Sequence, residues 1–121
     1  MVQKLTRVRI VDNSKMGKAG MIHNRAPYII QCYNKKGYGW TGDRLLLAVK
    51  GEKVPALLIG TVYQAQSMLP KFDSNNVILL DKKEGNPLGS RILAPVPNFI
   101  KKKNHTKVNY AKIFSIAAKV V

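Results

Sequence analysis

The densest candidate for chemistry is the run Lys101, Lys102 and Lys103, followed by Asn104, His105 and Lys107. Ammonium groups so close together displace counterions from phosphates, the main source of a protein's affinity for nucleic acid. The plainer reading is a solvated helix end, where lysines also suit the helix dipole. Arg7 and Arg9 lie two residues apart in the alternating stretch 5–11. On a strand their guanidiniums point to one side, about 6–7 Å apart, a spacing that suits successive phosphates. The plainer reading there is the solvent face of a half-buried strand. The whole chain tips the balance: 21 Lys and Arg stand against 6 Asp and Glu, a net charge of +15. A lone domain meets that surplus as self-repulsion, and a polyanion relieves it.

Other chemistries find little support. Gly37, Gly39 and Gly42 fit G-x-G-x-x-G, but a dinucleotide site needs a helix after the motif. The residues that follow, 44–50, alternate like a strand, so the glycines are read as permitting a tight connection. Tyr38 and Trp40 within it either stack on bases or pack one end of the sheet. His23 and His105 are far apart and have no acidic partner in sequence. Cys32 sits in an apolar strand and reads as a small hydrophobe. One cysteine excludes an intrachain disulfide framework and a Cys-based zinc site, and fits a reducing compartment. Asp12, Asp43 and Asp73 all stand at turn signals and read as turn-stabilising carboxylates, not a general acid–base pair. The sequence predicts no catalytic residue, no metal and no cofactor.

The elements that must hold these groups are short strands. The 121 residues predict a single domain, strand-rich to about residue 94 and helical from about residue 95. Apolar residues, 45% of the chain, come in bursts between turn signals. In 5–11, Thr6, Val8 and Ile10 share the face opposite Arg7 and Arg9, and Asp12, Asn13 and Ser14 stop the strand. Pro27 opens a strand over 28–33. Gly42 and Asp43 precede one over 44–50, and 51–53 reads as a tight turn returning through 56–63. The run 77–80 is apolar on both faces and reads as a buried strand. A turn at 84–87 leads to 90–93. Five or six strands at even spacing predict an all-β fold, a small closed barrel that leaves no open edge. Near the end, Val108, Ala111, Phe114, Ala117 and Ala118 fall at helical spacing with Lys112 and Lys119 outward, and a second short helix is expected near 98–102. Charge is uneven: residues 1–40 and 81–121 each carry +7, and 41–80 carry +1. Basic residues in strands and turns, not along one amphipathic helix, favour a nucleic acid over a membrane surface. No apolar run reaches about 18 residues, so no membrane span is expected, and the first residues do not read as a secretory signal or transit peptide.

Four motifs occur in order: Val-Asp-Asn-Ser at 11–14, Gly-Asp at 42–43, Phe-Asp-Ser-Asn-Asn at 72–76 and Gly-Asn-Pro-Leu-Gly-Ser-Arg-Ile at 85–92. With Tyr-Ala-Lys-Ile-Phe-Ser-Ile-Ala at 110–117, they resemble the universal large-subunit ribosomal protein L-fourteen family over nearly the whole chain. The wording of 3–14 and 72–76 is most similar to the mitochondrial branch, which implies the mitochondrial matrix; a bacterial or other organellar ribosome is the alternative. The resemblance implies a five-stranded barrel with short C-terminal helices and a structural, non-enzymatic protein that binds large-subunit rRNA. It also implies a place at the intersubunit face, with a bridge to small-subunit rRNA, a neighbour of the L-nineteen family, and docking of a ribosome-silencing factor. Carried over by motif, that docking patch is Ser90, Arg91 and Lys112. The rRNA-binding set is read from charge: Lys4, Arg7, Arg9, Lys15, Lys18, Lys35, Lys36, Arg44, Lys50, Lys53, Lys71, Lys101, Lys102, Lys103 and Lys107.

Three stretches depart from the family pattern. The connection at 51–54 is shorter than the basic hairpin of bacterial relatives, 18–27 looks inserted, and 64–70 has lost its usual basic character, which implies protein contact in place of some rRNA contact. A free-standing single-stranded nucleic-acid binder remains the rival; tight, sequence-tolerant binding of short oligonucleotides would mark it. An enzyme would need two polar groups converging in a pocket, and no spacing here suggests them.

Overall fold

Two runs, 54–59 and 76–80, are buried at every position, which requires packing on both faces of the strands that contain them. The computed structural model, which describes residues 2–3, 5–22, 26–33, 38–39, 41–61, 75–81, 85–97, 100 and 108–120, shows why. Strands β1 (Val2–Gln3) and β4 (Tyr38–Gly39) form a small antiparallel pair. The main sheet contains β2 (Arg9–Ile10), β3 (Tyr28–Cys32), β5 (Arg44–Val49), β6 (Glu52–Gly60) and β7 (Asn76–Leu79) in the order β2-β7-β6-β5-β3. Among the described strands of this sheet, β2 and β7 pair in parallel and the other neighbours antiparallel.

One face of this sheet gathers Val8, Ile10, Ile29, Leu45, Leu47, Val49, Ala56, Leu58, Val77 and Leu79 into one apolar cluster. The intervening residues of β6 and β7, Leu57, Ile59 and Ile78, join a second cluster with Val11, Leu80, Ile92, Val96, Ile100, Val108 and Ile113. The C-terminal segment thus covers the outer face of β6 and β7. By contrast, β5 is buried at every second residue, the period of a strand with one covered face.

Among the described residues the main sheet has β2 and β3 at its ends and its ladder does not close on itself, so of the expected barrel the five-stranded sheet is what is seen. Residues 5–8 reach across to β3 through backbone bonds: Leu5 N–H to Ile29 O at 2.7 Å, Ile29 N–H to Thr6 O at 3.0 Å and Val8 N–H to Pro27 O at 3.0 Å. The β5–β6 turn also differs in register. Val49 pairs with Glu52, and the two turn residues, Lys50 and Gly51, have φ of 52° and 83°. Positive φ at both positions is the twist-matched two-residue hairpin turn, so Glu52 and Lys53 belong to the strand. Residues 90–93 form no strand, only isolated bridges at Ile92, antiparallel to Asp12 and parallel to Ala117.

Helix α1 (Lys15–Ile22) was not expected from the sequence, in which 18–27 reads only as an insertion. Two glycines in eight residues hide it, since each costs about 1 kcal/mol relative to Ala in a helix. They are its packing face: Gly17 and Gly20 are the buried residues. A Cβ on Gly17 would meet Ile10 Cγ2 at 2.7 Å, Asp12 Oδ1 at 2.8 Å and Ser14 Oγ at 2.9 Å. Helix α2 (Tyr110–Ile116) is shorter than its periodicity suggested. It buries Ile113, leaves Ala111 exposed, and ends at Ala117, whose extended backbone bridges Ile92 in parallel. Of the stretch 98–102 only Ile100 lies within the described residues, and it is buried.

Gly17→Ala is expected to destabilise the chain by about 1–3 kcal/mol, because overpacking against short, stiff groups outweighs the gain in helix propensity. Urea unfolding of the full-length variant checks this; equal or greater stability would show that α1 can back away from β2.

Candidate functional site

The alternation of residues 7–10 sets the basic surface. Val8 and Ile10 are buried and Arg7 and Arg9 exposed, so the core itself turns both guanidiniums outward, and Arg7 Nη1 donates to Ala26 O at 3.4 Å. Lys15 and Lys18, one turn apart on α1, are exposed, as are Lys50 and Lys53 around the β5–β6 turn. Lys15 and Lys50 come together at a cavity of about 380 Å3 that Met16, Ala19, Val49 and Glu52 also line. Arg44 differs from the other cations. It is half-buried, its guanidinium lies 4.7 Å from the Tyr33 ring centroid, and its Nε is buried without a hydrogen-bond partner. Stacking thus takes up one face of this cation. Lys4, Lys35, Lys36, Lys71, Lys101, Lys102, Lys103 and Lys107 lie outside the described residues, as do His23, Trp40, Asp73, His105 and the Tyr38 side chain.

The second constellation is built by Asp12, Asn13 and Ser14. Asp12 is buried. Its Oδ2 accepts from the Leu79 amide at 3.1 Å, and its Oδ1 accepts from the Ser14 hydroxyl at 2.9 Å and the Ser14 amide at 3.4 Å. Ser14 Oγ in turn accepts from the Gly17 amide at 3.0 Å, capping α1. Asn13 Oδ1 accepts from the amides of Ser90 at 2.8 Å and Arg91 at 3.0 Å, and its Nδ2 donates to Ser90 Oγ at 2.9 Å. Ser90 and Arg91 are exposed. The amide of the next residue, Ile92, donates to Ile116 O at the end of α2, which joins their loop to the helix that carries the exposed Lys112. The start of that helix is tied to the same motif: Asn109 Oδ1 caps the Lys112 amide at 3.2 Å, and its Nδ2 donates to Asn86 Oδ1 at 2.9 Å. The sequence expectations singled out neither Asn13 nor Asn109 as a positioning group. The only available signal was that Asn13 and the 89–91 loop both stand in the recognised motifs.

Burial pushes the Asp12 carboxyl above its ordinary value, against the hydrogen bonds from Ser14 and Leu79 that favour the anion. Among the described residues no group of His, Cys, Asp or Glu could hold a metal ion, and no helix is long and apolar enough to cross a membrane. Cys32 is buried in β3, and Gly42, at φ 96°, forms the turn before a strand rather than a phosphate-binding helix.

A strand-rich scaffold that turns its cations outward and uses its buried carboxylate as a structural tie has the design of a basic assembly component. The chain belongs to the ribosomal protein L14p/L23e family, whose family model matches residues 1–121. It is 48% identical over 120 residues to the large ribosomal subunit protein uL14m of Danio rerio, covering 99% of this chain and 81% of that protein. These similarities establish a structural, non-enzymatic role in the large ribosomal subunit and support a mitochondrial location.

Replacing Asp12 by Ala is expected to destabilise the fold by about 1–3 kcal/mol for each buried donor left unmet. The pH dependence has an unusual sign. Because the folded carboxyl titrates above the unfolded one, the native state holds the extra proton between the two values. The contribution of Asp12 to stability therefore falls as pH rises from the ordinary carboxylate range, about 4, through its raised folded value. Unfolding the natural chain and Asp12→Asn side by side isolates this: the natural chain loses ground to the variant as pH rises. A difference independent of pH would contradict the raised value.

Proposed function

We propose that this chain grips large-subunit rRNA with its outward cations and presents the 89–91 loop and α2 to partners at the subunit face. The observation that carries the first part is the strand face of Arg7 and Arg9, exposed directly opposite the buried Val8 and Ile10. Their spacing suits neighbouring phosphates. Lys15, Lys18, Lys50 and Lys53 extend the basic surface around α1 and the β5–β6 turn; Arg44 contributes the outer edge of its stacked guanidinium. Lys4, Lys35, Lys36, Lys71, Lys101, Lys102, Lys103 and Lys107 complete the proposed set on charge alone. The mechanism is architectural: fixed cations neutralise phosphates of folded RNA and hold its local shape.

The second part places a ribosome-silencing factor or a bridge to small-subunit rRNA at Ser90, Arg91 and Lys112, with an L-nineteen-family protein as a neighbour. The exposure of all three and the planar fork of Arg91, which suits carboxylate or phosphate bidentately, support this. We also propose that the sheet is rolled into a barrel, with the bonds from residues 5–8 to β3 as its seam, and that 1–121 folds as one domain.

Sucrose-gradient sedimentation of lysates carrying the natural chain or Arg91→Ala tests both parts. Both chains are expected in the large subunit, and the silencing factor is expected to follow only the natural one. A natural chain at the top of the gradient would overturn the rRNA reading; a factor that still follows Arg91→Ala subunits would overturn the docking patch.

A further inference from the structure

We propose that Asn13 is the positioning residue of the 89–91 docking loop, and that the loop it orients fits a protein surface offering a carboxylate between apolar groups. The inference rests on the docking patch proposed above. Amides of exposed loop residues ordinarily bond to water, yet those of Ser90 and Arg91 converge at 2.8 and 3.0 Å on a single oxygen, Asn13 Oδ1. Asn13 Nδ2 adds a bond to Ser90 Oγ at 2.9 Å. The amide of Asn13 is engaged at both ends, so it acts on a partner only through the two residues it holds.

Gly89 makes this contact possible. A Cβ there would lie 2.9 Å from Asn13 Oδ1, 3.0 Å from Asp12 Cβ and 3.1 Å from Asn13 N. The loop is attached independently by backbone bonds, Asn13 N–H to Arg91 O at 3.2 Å and Leu93 N–H to Val11 O at 2.9 Å. Losing the Asn13 side chain therefore frees the orientation of the loop without releasing it. Fixing a binding loop in advance removes the cost of ordering it on association.

The donor pattern identifies the partner. Ser90 Oγ accepts from Asn13 Nδ2, which leaves its proton to donate, and the Arg91 guanidinium is a donor only. Both groups are donors and call for an acceptor such as a carboxylate. Leu88 and Leu93, 45% and 67% exposed, flank the loop; large apolar side chains beside the charge favour a protein over RNA.

The test uses large subunits carrying the full-length chain and purified silencing factor. Asn13→Ala and Arg91→Ala are each expected to weaken binding about tenfold or more, equivalent to 1.4 kcal/mol, and the double variant no further than Arg91→Ala alone. Asn13→Asp keeps an acceptor for both amides, so the Ser90 and Arg91 amides are expected to stay slow to exchange, but its second oxygen draws the Ser90 proton and binding is expected to stay weak. Additive losses, or amides that exchange as fast in Asn13→Asp as in Asn13→Ala, would mean a merely structural role and overturn the inference. Loss with Arg91→Ala but not Asn13→Ala would overturn the inference alone, whereas full binding by Arg91→Ala overturns the docking patch and the inference with it. Hydrogen exchange keeps the question open to refutation if Asn13→Ala does not assemble. In the natural subunit the Ser90 and Arg91 amides are expected to exchange slowly despite their exposure, and fast exchange would overturn the clamp.

Discussion

The buried carboxylate of Asp12 is the interaction on which the rest of the molecule depends. A strand that ended at Val11 without it would leave the Leu79 amide unmet inside the protein, where an unpaired donor is costly. Through its two oxygens Asp12 fastens the end of the first long segment to β7 and sets Ser14 to cap α1. Asn13, between them, faces the opposite way and fastens the 89–91 loop. Three consecutive residues thus join four parts of the chain. Three hydrogen bonds from Ser14 and Leu79 favour the Asp12 anion, against the burial that raises its pKa.

From that tie the layered arrangement follows. β6 and β7 are shared walls, with Leu58, Val77 and Leu79 facing one cluster and Leu57, Ile59 and Ile78 the other. The C-terminal segment is therefore part of the packing, not an appendage. Among the described residues the interior is mostly apolar, with Asp12, Ser14, Thr41, Asp43, Thr61 and Asn76 as its buried polar groups, and no Lys or Arg is fully buried. Architecture and proposed function are linked by this division: burial selects which side chains face inward, and the remainder form the surface proposed to meet RNA.

How much of this was legible in the sequence depended on the range of the interaction responsible. The outward placement of Arg7 and Arg9 and the doubly buried run at 77–80 follow from local periodicity, and both are present. The hairpin between β5 and β6 was legible to within two residues; the shift arises because Lys50 takes a positive φ, which its residue type does not announce. Helix α1 was hidden because its glycines are poor helix formers, chosen for close approach to Ile10 and Val49. The Asn13 clamp spans 77 residues, and no local pattern reveals a contact of that reach. The four ordered motifs did mark both of its ends, which is why the family was legible when the clamp was not.

The central proposal is electrostatic grip of folded RNA by an outward rim of cations. Its most direct test is the affinity of the full-length chain for large-subunit rRNA as a function of salt. With about 6–10 phosphates engaged, binding should weaken roughly 10³–10⁵-fold between 50 and 200 mM. An affinity that stays level across that range would contradict it.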